Sequence, residues 1–154
     1  MGISAVSQPA VTPTITAGAY SADDALGGLM EFTDAVNTHS RSGIITNLMI
    51  VDKAGQSAAI DVFLFDATFT ATADNAAWPT TNPTETVIGT NCIGVITVEA
   101  TDYKTYNGGS LASVELTKPI KMSGTTVYAQ AVVRGTPTYV ATTDLIFRLS
   151  IAKD

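Results

Sequence analysis

The chain has 154 residues, of which 45% are hydrophobic and 14% are charged, and its formal net charge is −6. The length suits one domain, and the charged fraction is well below the roughly 25% that is usual for soluble domains. Because non-specific binding of nucleic acid needs Lys and Arg against phosphates, the eight scattered basic residues predict no nucleic-acid partner. Threonine occurs 24 times. This β-branched residue favours sheet and offers little for proton or phosphate chemistry.

The first segment of the chain is uncharged. Residues 1–19 contain no charged side chain but two prolines, Pro9 and Pro13. Proline fixes its own φ and biases the preceding residue to extended geometry, which predicts an extended amino-terminal arm at residues 1–14 and a first strand near Val11–Thr16. Spaced apolar side chains predict that the arm packs on its own sheet or on a neighbouring subunit. The candidate partner-binding residues of the arm are Ile3, Val6 and Val11.

The next apolar segments predict strands separated by turns. Leu29–Phe32 has the length of a short strand, and Ile44–Val51 is a near-continuous apolar run that predicts a strand buried on both faces. Asp52–Ser57 contains the Asp and Gly of a turn, and Ala59–Phe65 follows as a further strand. The spacing predicts that the two longer strands form a hairpin.

The middle of the chain is irregular. Asp66–Asn91 shows no clear period, which is unusual in a compact domain and indicates a functional or partly ordered loop. It contains Trp78, the only tryptophan. Two interpretations of Trp78 stay open: it caps the core, or it binds a partner protein, since Trp is enriched at interface hot spots. Beyond this loop, Ile93–Val98 predicts a strand, and Thr101–Tyr106 predicts a short helix that ends at Asn107–Gly109.

The last third of the chain predicts further strands. Val127–Arg134 and Leu145–Ala152 alternate side chains as strands with two distinct faces do. Shorter strands are predicted at Ala112–Leu116 and Ile120–Met122. With eight or nine short strands and almost no helical period, the predicted fold is all-β. It is a single-domain antiparallel β-sandwich, jelly-roll-like, over residues 15–154 behind the extended arm.

Few residues are suited to catalysis or metal binding. His39 is the only histidine and no GxSxG pattern accompanies it, so it is interpreted as a solvated loop residue. Cys92 is the only cysteine, which excludes an internal disulfide, and its apolar neighbours predict a buried thiol. The candidate calcium ligands are interpreted as turn aspartates: Asp23, Asp24, Asp66 and Asp74. We therefore predict no catalytic residue, no metal and no cofactor.

The sequence carries no targeting or membrane signal. No Lys or Arg precedes Arg41, so the amino terminus lacks the basic region of a signal peptide. No apolar run approaches the ~20 residues of a membrane helix. These observations predict a protein that is made in the cytosol and has no membrane partner.

Several segments form an ordered set along the chain. They are GLMEF (Gly28–Phe32), SGIITNLMIVDK (Ser42–Lys53), AAIDVFLFD (Ala58–Asp66), NAA (Asn75–Ala77), Gly94–Val98, Asp102–Tyr103, RGTPTY (Arg134–Tyr139) and DLIFRLSIAKD (Asp144–Asp154). In this order the set is similar to small structural proteins encoded among the head genes of tailed bacteriophages. The similarity spans most of the chain.

The resemblance implies a virion protein that is β-rich and often trimeric, most like a head decoration (cement) protein that binds the outside of the capsid lattice. The implied partners are the major capsid protein and further copies of this chain, and the implied location is the capsid exterior. Such proteins bring no catalytic residues. Two alternatives stay open. One is a phage tail or receptor-binding module that recognises host-surface glycans through Trp78, Tyr103 and Tyr106. The other is a small hydrolase with Glu99 and Asp102 as its carboxylate pair.

Overall fold

The computed structural model describes residues 5–79 and 84–154 of the chain. Within them the backbone forms ten β-strands, one α-helix and one 3-10 helix. The strands are β1 (Ala5–Ser7), β2 (Ala10–Val11), β3 (Ala25–Phe32), β4 (Ser42–Asp52), β5 (Ile60–Phe65), β6 (Cys92–Val98), β7 (Tyr103–Tyr106), β8 (Gly109–Lys121), β9 (Val127–Val133) and β10 (Leu145–Lys153). The helix α1 is Thr84–Asn91, and the 3-10 helix is Ala100–Asp102.

The strands form two antiparallel sheets that pack together. The larger sheet has the order β1-β10-β4-β8-β7, with β2 also paired to β10, and the smaller sheet has the order β3-β9-β5-β6. Four antiparallel pairs are nested along the chain: β5 with β6, β4 with β8, β3 with β9, and β2 with β10. The prediction of an all-β antiparallel sandwich is confirmed. Its jelly-roll form stays a prediction.

Alternating apolar side chains explain which face of each strand is buried. The fully buried set on β10 is Leu145, Phe147, Leu149 and Ile151. Arg148, between two of them, is exposed, so the strand predicted here has one core face and one outer face. On β4 the prediction of two buried faces is wrong: Leu48 and Ile50 are fully buried, but Met49 between them is only half-buried. The smaller sheet covers only one face of β4.

The hairpin predicted between β4 and β5 is wrong because the two strands lie in different sheets. β4 pairs with β8 and β10, whereas β5 pairs with β6 and β9. The loop between them crosses from sheet to sheet. It is held by the Asp52 carboxylate, which accepts hydrogen bonds from the backbone N–H of Ala54 at 3.0 Å and of Ser57 at 2.8 Å. The turn residues alone do not show whether the loop forms a hairpin within one sheet or connects strands of the two sheets.

The helix predicted at Thr101–Tyr106 is wrong beyond its first residues. Only Ala100–Asp102 is helical, and β7 and β8 form a hairpin. The two-residue turn of this hairpin is Asn107–Gly108, with φ of 46° and 92°. An Asn-Gly pair with both φ positive matches the right-handed twist of the flanking strands. The Asn-Gly pair predicted to end a helix therefore forms the turn of a hairpin.

The strand β8 is longer than predicted. It joins the predicted strands Ala112–Leu116 and Ile120–Met122, apart from the last residue, into one strand. Pro119 lies inside it and pairs with β4, while β7 pairs only with the first four residues of β8. On the side of β8 away from β4, no described strand pairs with Pro119. The N–H that proline lacks is therefore not required for a hydrogen bond to a strand on that side.

The described part of the predicted arm lies along the edge of its own larger sheet, since β1 and β2 both pair with β10. Of the predicted strand Val11–Thr16, only Val11 is in a strand. Pro13 cannot donate to a ladder, and the chain after it leaves the sheet edge to bury Ile15 in the core. Ile3 lies outside the described residues.

A polar cluster is buried at one end of the core. Asp52 is 1% exposed, and the hydroxyls of Tyr103 and Tyr139 are buried without a hydrogen-bond partner in the described part of the chain. Burial raises the pKa of both phenols, and the charge of Asp52 raises it further. Burial also raises the pKa of Asp52 above its usual 3.8, although hydrogen bonds from Ser57 and Ala54 act in the opposite direction.

Gly27→Ala is expected to destabilise the protein by about 2–4 kcal/mol. Gly27 has a φ of 68°, and an added Cβ would lie 2.6 Å from the Pro13 side chain. Gly28→Ala is the matched control in the same strand, because an added Cβ there meets no atom within 4 Å. It is expected to change stability by less than about 1 kcal/mol. Urea unfolding measures both variants, and equal losses would contradict this account of Gly27.

Asp52 is expected to make the protein less stable as pH rises above 3.8. Its pKa is higher in the folded than in the unfolded chain, so the folded state binds more protons between the two pKa values. The free energy of unfolding therefore falls as pH rises through that interval. Asp52→Asn removes this titration. The variant is expected to be less stable, because an amide nitrogen cannot accept a loop N–H, but to lack this part of the pH dependence.

Denaturant unfolding of both proteins from roughly pH 3 to 7 measures this difference. All other carboxylates are common to the two proteins, so the difference between their pH profiles isolates Asp52. Parallel profiles would show that Asp52 titrates alike in both states.

Candidate functional site

The loop after β5 lies across the outer face of the smaller sheet. The Phe69 ring packs on Phe65, with centroids 4.0 Å apart. Gln130 of β9, fully buried, donates from Nε2 to the Thr72 carbonyl at 2.6 Å and accepts from the Thr72 N–H at 3.1 Å. The region predicted to be irregular is therefore ordered in its first half by contacts with β5 and β9, and α1 occupies part of its second half.

Asp74 fastens this loop to β3 and to the segment before it. One carboxylate oxygen accepts hydrogen bonds from the Tyr20 hydroxyl and from the Gly27 N–H, each at 2.6 Å. The other oxygen accepts from the Thr16 hydroxyl at 2.6 Å. Burial raises the pKa of Tyr20, and the bond to Asp74 raises it further. The carboxylate of Asp74, a candidate calcium ligand, is thus engaged by protein donors.

Trp78 forms one wall of a groove on the same face. Its indole stacks on Phe63 of β5 with ring centroids 5.0 Å apart and planes 26° apart. Its backbone N–H donates to the Asp23 carbonyl at 2.8 Å, and its buried indole N–H has no partner in the residues described. The groove, of about 450 Å³, is lined by Asp23, Asp61, Phe63, Trp78, Ile88 and Val132.

A fixed polar network borders this groove. Asp61 accepts a hydrogen bond from the Thr97 hydroxyl at 2.8 Å and lies 3.4 Å from Nε of Arg134. Arg134 also pairs with Glu99 at 2.8 Å, and this bond raises the pKa of the guanidinium. The carboxylate of Asp23, which is exposed, makes no hydrogen bond to any described residue. Donor and acceptor groups therefore stand side by side next to an aromatic wall.

The carboxylates of Glu99 and Asp102, the pair predicted for a hydrolase, both interact with neighbouring groups of the protein. Glu99 precedes the 3-10 helix, and Asp102 accepts a hydrogen bond from the Glu99 N–H at 2.8 Å, in a reciprocal capping arrangement. The Glu99 carboxylate is also paired with Arg134. Neither residue is buried, so the pair lacks the desolvated setting that raises the pKa of a general acid.

The aromatic residues predicted for glycan recognition do not form one platform. Trp78 lies on the smaller sheet, whereas Tyr103 and Tyr106 belong to β7 at the edge of the larger sheet. Tyr103 is buried and Tyr106 is 66% exposed. Trp78 lines a groove with Asp23 and Asp61, and Tyr106 lines a separate cavity with Asp52 and Lys53.

The outer face of the larger sheet carries exposed and half-buried apolar side chains. Cross-strand pairing places them in two apolar rows, which are separated by mostly polar positions around Met49. The first row is Val6, Ile44 and Pro119, with the buried Ala152 between Val6 and Ile44, and the second row is Ile146, Val51 and Leu111. Tyr106 and Leu111 line a cavity of about 260 Å³ beside the second row. Unlike the smaller sheet, this face has no loop packed on it among the contacts described.

The predicted partner-binding residues take different positions. Val6 is 66% exposed on the first row, Val11 packs against the core, and Trp78 packs on Phe63. A partner-binding role stays a prediction for all of them, and for Ile3. Sequence reasoning missed Asp61 and Phe63. The alternation of β5 could have placed both on one outer face, but their proximity to Trp78 depends on the path of the loop.

The remaining candidate residues occupy ordinary positions. His39 is exposed in a turn, and Cys92 is half-buried, with its thiol 3.6 Å from the Gly94 carbonyl. Within residues 5–79 and 84–154 no group of three or more His, Cys, Asp or Glu side chains could hold a metal ion. No helix in those ranges has the length and apolar character needed to cross a membrane.

Comparison with models of known protein families gives no match, and comparison with curated proteins gives none either. The structural features that bear on function are therefore the groove beside Trp78 and the apolar rows of the larger sheet.

Proposed function

We propose that this chain is a non-enzymatic structural protein of a tailed-bacteriophage virion, most like a decoration protein that binds the outside of the capsid and stabilises it. The resemblance of its ordered segments to phage head proteins suggests this role. The physical support is the unequal covering of its two sheets. A binding protein needs one accessible face with apolar side chains on a rigid support, and the outer face of the larger sheet meets that requirement.

The apolar rows are the observation that carries the proposal. Side chains such as Val6, Val51 and Leu111 gain free energy when a partner removes them from water, at roughly 25 cal/mol per Å². Exposed apolar side chains grouped on one face are a common mark of an interaction surface. A face built by several paired strands offers a protein partner a larger contact than a small molecule needs, and the major capsid protein is the partner we propose.

The proposal includes a jelly-roll form of the sandwich. The nesting of β2–β10, β3–β9, β4–β8 and β5–β6 supports it. In this pattern a long folded-back hairpin is wound between two sheets, so that each sheet takes strands from both halves of the chain. Jelly rolls occur among viral capsid domains.

The proposal also includes a homotrimer on the capsid exterior. A decoration protein at a three-fold position contacts its neighbours by cyclic symmetry, which closes the assembly without open ends. The edge strand β1 lies beside the first apolar row and is the contact we propose between subunits. This requires neither a cofactor nor an enzymatic activity.

Purified phage particles are expected to contain hundreds of copies of this chain. Copy number follows from quantitative mass spectrometry of the particle with the major capsid protein as internal standard. A few to a dozen copies would instead place the chain at the portal or tail, where a receptor-binding module belongs, and would overturn the decoration role.

Val6→Glu is expected to weaken binding to undecorated heads by roughly tenfold or more, because it places a charge in the apolar contact. Val95→Glu is the matched control: Val95 is 45% exposed on β6 of the smaller sheet, and its variant is expected to bind normally. Deletion of the whole arm is a poor test, since it removes β1 and β2 from β10. Co-sedimentation with heads gives the affinities. Equal binding by both variants would exclude the first apolar row as the contact.

A further inference from the structure

We propose that the groove beside Trp78 is a saccharide-binding site, in which a sugar ring packs against the indole and its hydroxyls donate to Asp23 and Asp61. This inference does not depend on the proposed capsid role, since the groove lies on the opposite sheet from the apolar rows.

The size and lining of the groove fit a small polar ligand. Its volume of about 450 Å³ lies within the range of roughly 300–1,000 Å³ that is typical of small-molecule sites. Phe63, Trp78 and Val132 supply apolar surface, and Asp23 and Asp61 supply acceptors. The C–H face of a sugar ring is apolar and its rim is rich in hydroxyl donors. One apolar wall with acceptors beside it matches both parts of the ring.

The charges of the groove disfavour an anionic ligand. Its lining carries two carboxylates, those of Asp23 and Asp61. The charge of Asp61 is partly offset, since Arg134 lies 3.4 Å from it. The hydroxyl groups of a neutral ligand donate to such carboxylates without charge repulsion.

The site is held in place before any ligand arrives. Asp61 is fixed by the Thr97 hydroxyl at 2.8 Å. The backbone of Asp23 is fixed at both ends, since its N–H donates to Val133 at 2.7 Å and its carbonyl accepts from Trp78 at 2.8 Å. Because the aromatic wall and one acceptor are tied to each other directly, little conformational entropy is lost when a sugar binds.

Trp78 makes the test direct, because it is the only tryptophan and its fluorescence reports on this groove alone. The full-length protein is titrated with glucose, galactose, N-acetylglucosamine and short oligomers of each. At least one series is expected to change the emission saturably. No saturable change with any of them, up to the highest soluble concentration, would overturn the proposal.

Asp23→Asn is expected to raise the dissociation constant of the best saccharide by roughly tenfold, because a charge-assisted hydrogen bond becomes a neutral one. Asp23 has a φ of 71°, a conformation that Asn also adopts readily, so the variant is expected to fold. Asp34→Asn is the matched control. Asp34 is exposed, has a φ of 52°, and lies beyond the far end of the eight-residue β3, roughly 25 Å away.

The variants separate this site from the alternatives. Trp78→Ala, followed by calorimetry, is expected to abolish saccharide binding while circular dichroism reports whether the fold is kept. If Asp23→Asn binds the saccharide with unchanged affinity, the groove is not the saccharide-binding site. Tighter saturable binding of a lysine-rich peptide than of any saccharide, lost in Asp23→Asn, would assign a cationic ligand and contradict the proposal. Head binding by Asp23→Asn is expected to stay normal, so failure here leaves the capsid role untouched.

Discussion

Burial of apolar side chains between the two sheets is the interaction on which the rest of the structure depends. Phe147 and Ile50 of the larger sheet and Leu64 of the smaller sheet belong to one core and are fully buried. Each such side chain contributes roughly 1.5–3 kcal/mol when it leaves water. This gain requires the two sheets to face each other, and β4 and β5 contribute to it from opposite sheets instead of forming a hairpin.

The two sheets differ in how much of their outer faces is covered by other parts of the chain. On the smaller sheet, the loop after β5 supplies Phe69 and Trp78 as a second layer, and Asp74 fastens that loop to β3 and to the segment before it. The covering leaves a groove with aromatic and charged walls. On the larger sheet, the apolar rows stay accessible. One fold thus offers a groove suited to a small ligand and a broad face suited to a protein partner.

Local features of the sequence predicted several strands because their signal lies within a few residues. The alternation of Leu145–Ala152 predicts the buried face of β10. The Asn-Gly pair after β7 is an equally local signal for a hairpin, although it is predicted to end a helix, and that prediction is wrong. Predictions that needed a partner from elsewhere in the chain were less accurate. Nothing near Ile44–Val51 indicates that only one of its faces meets a second sheet. Likewise, Trp78 and Phe63 are 15 positions apart, and only the loop path stacks them.

The sequence by itself determined that this protein is a β-sandwich with few groups for catalysis, because side-chain alternation, β-branched residues and low charge act on each strand separately. Only the tertiary structure decided which strands are neighbours, which sheet face is covered and where Asp23, Asp61 and Trp78 meet. These outcomes depend on contacts between residues far apart in the chain. The free energy of such contacts comes from burying surfaces against each other, which no local pattern specifies.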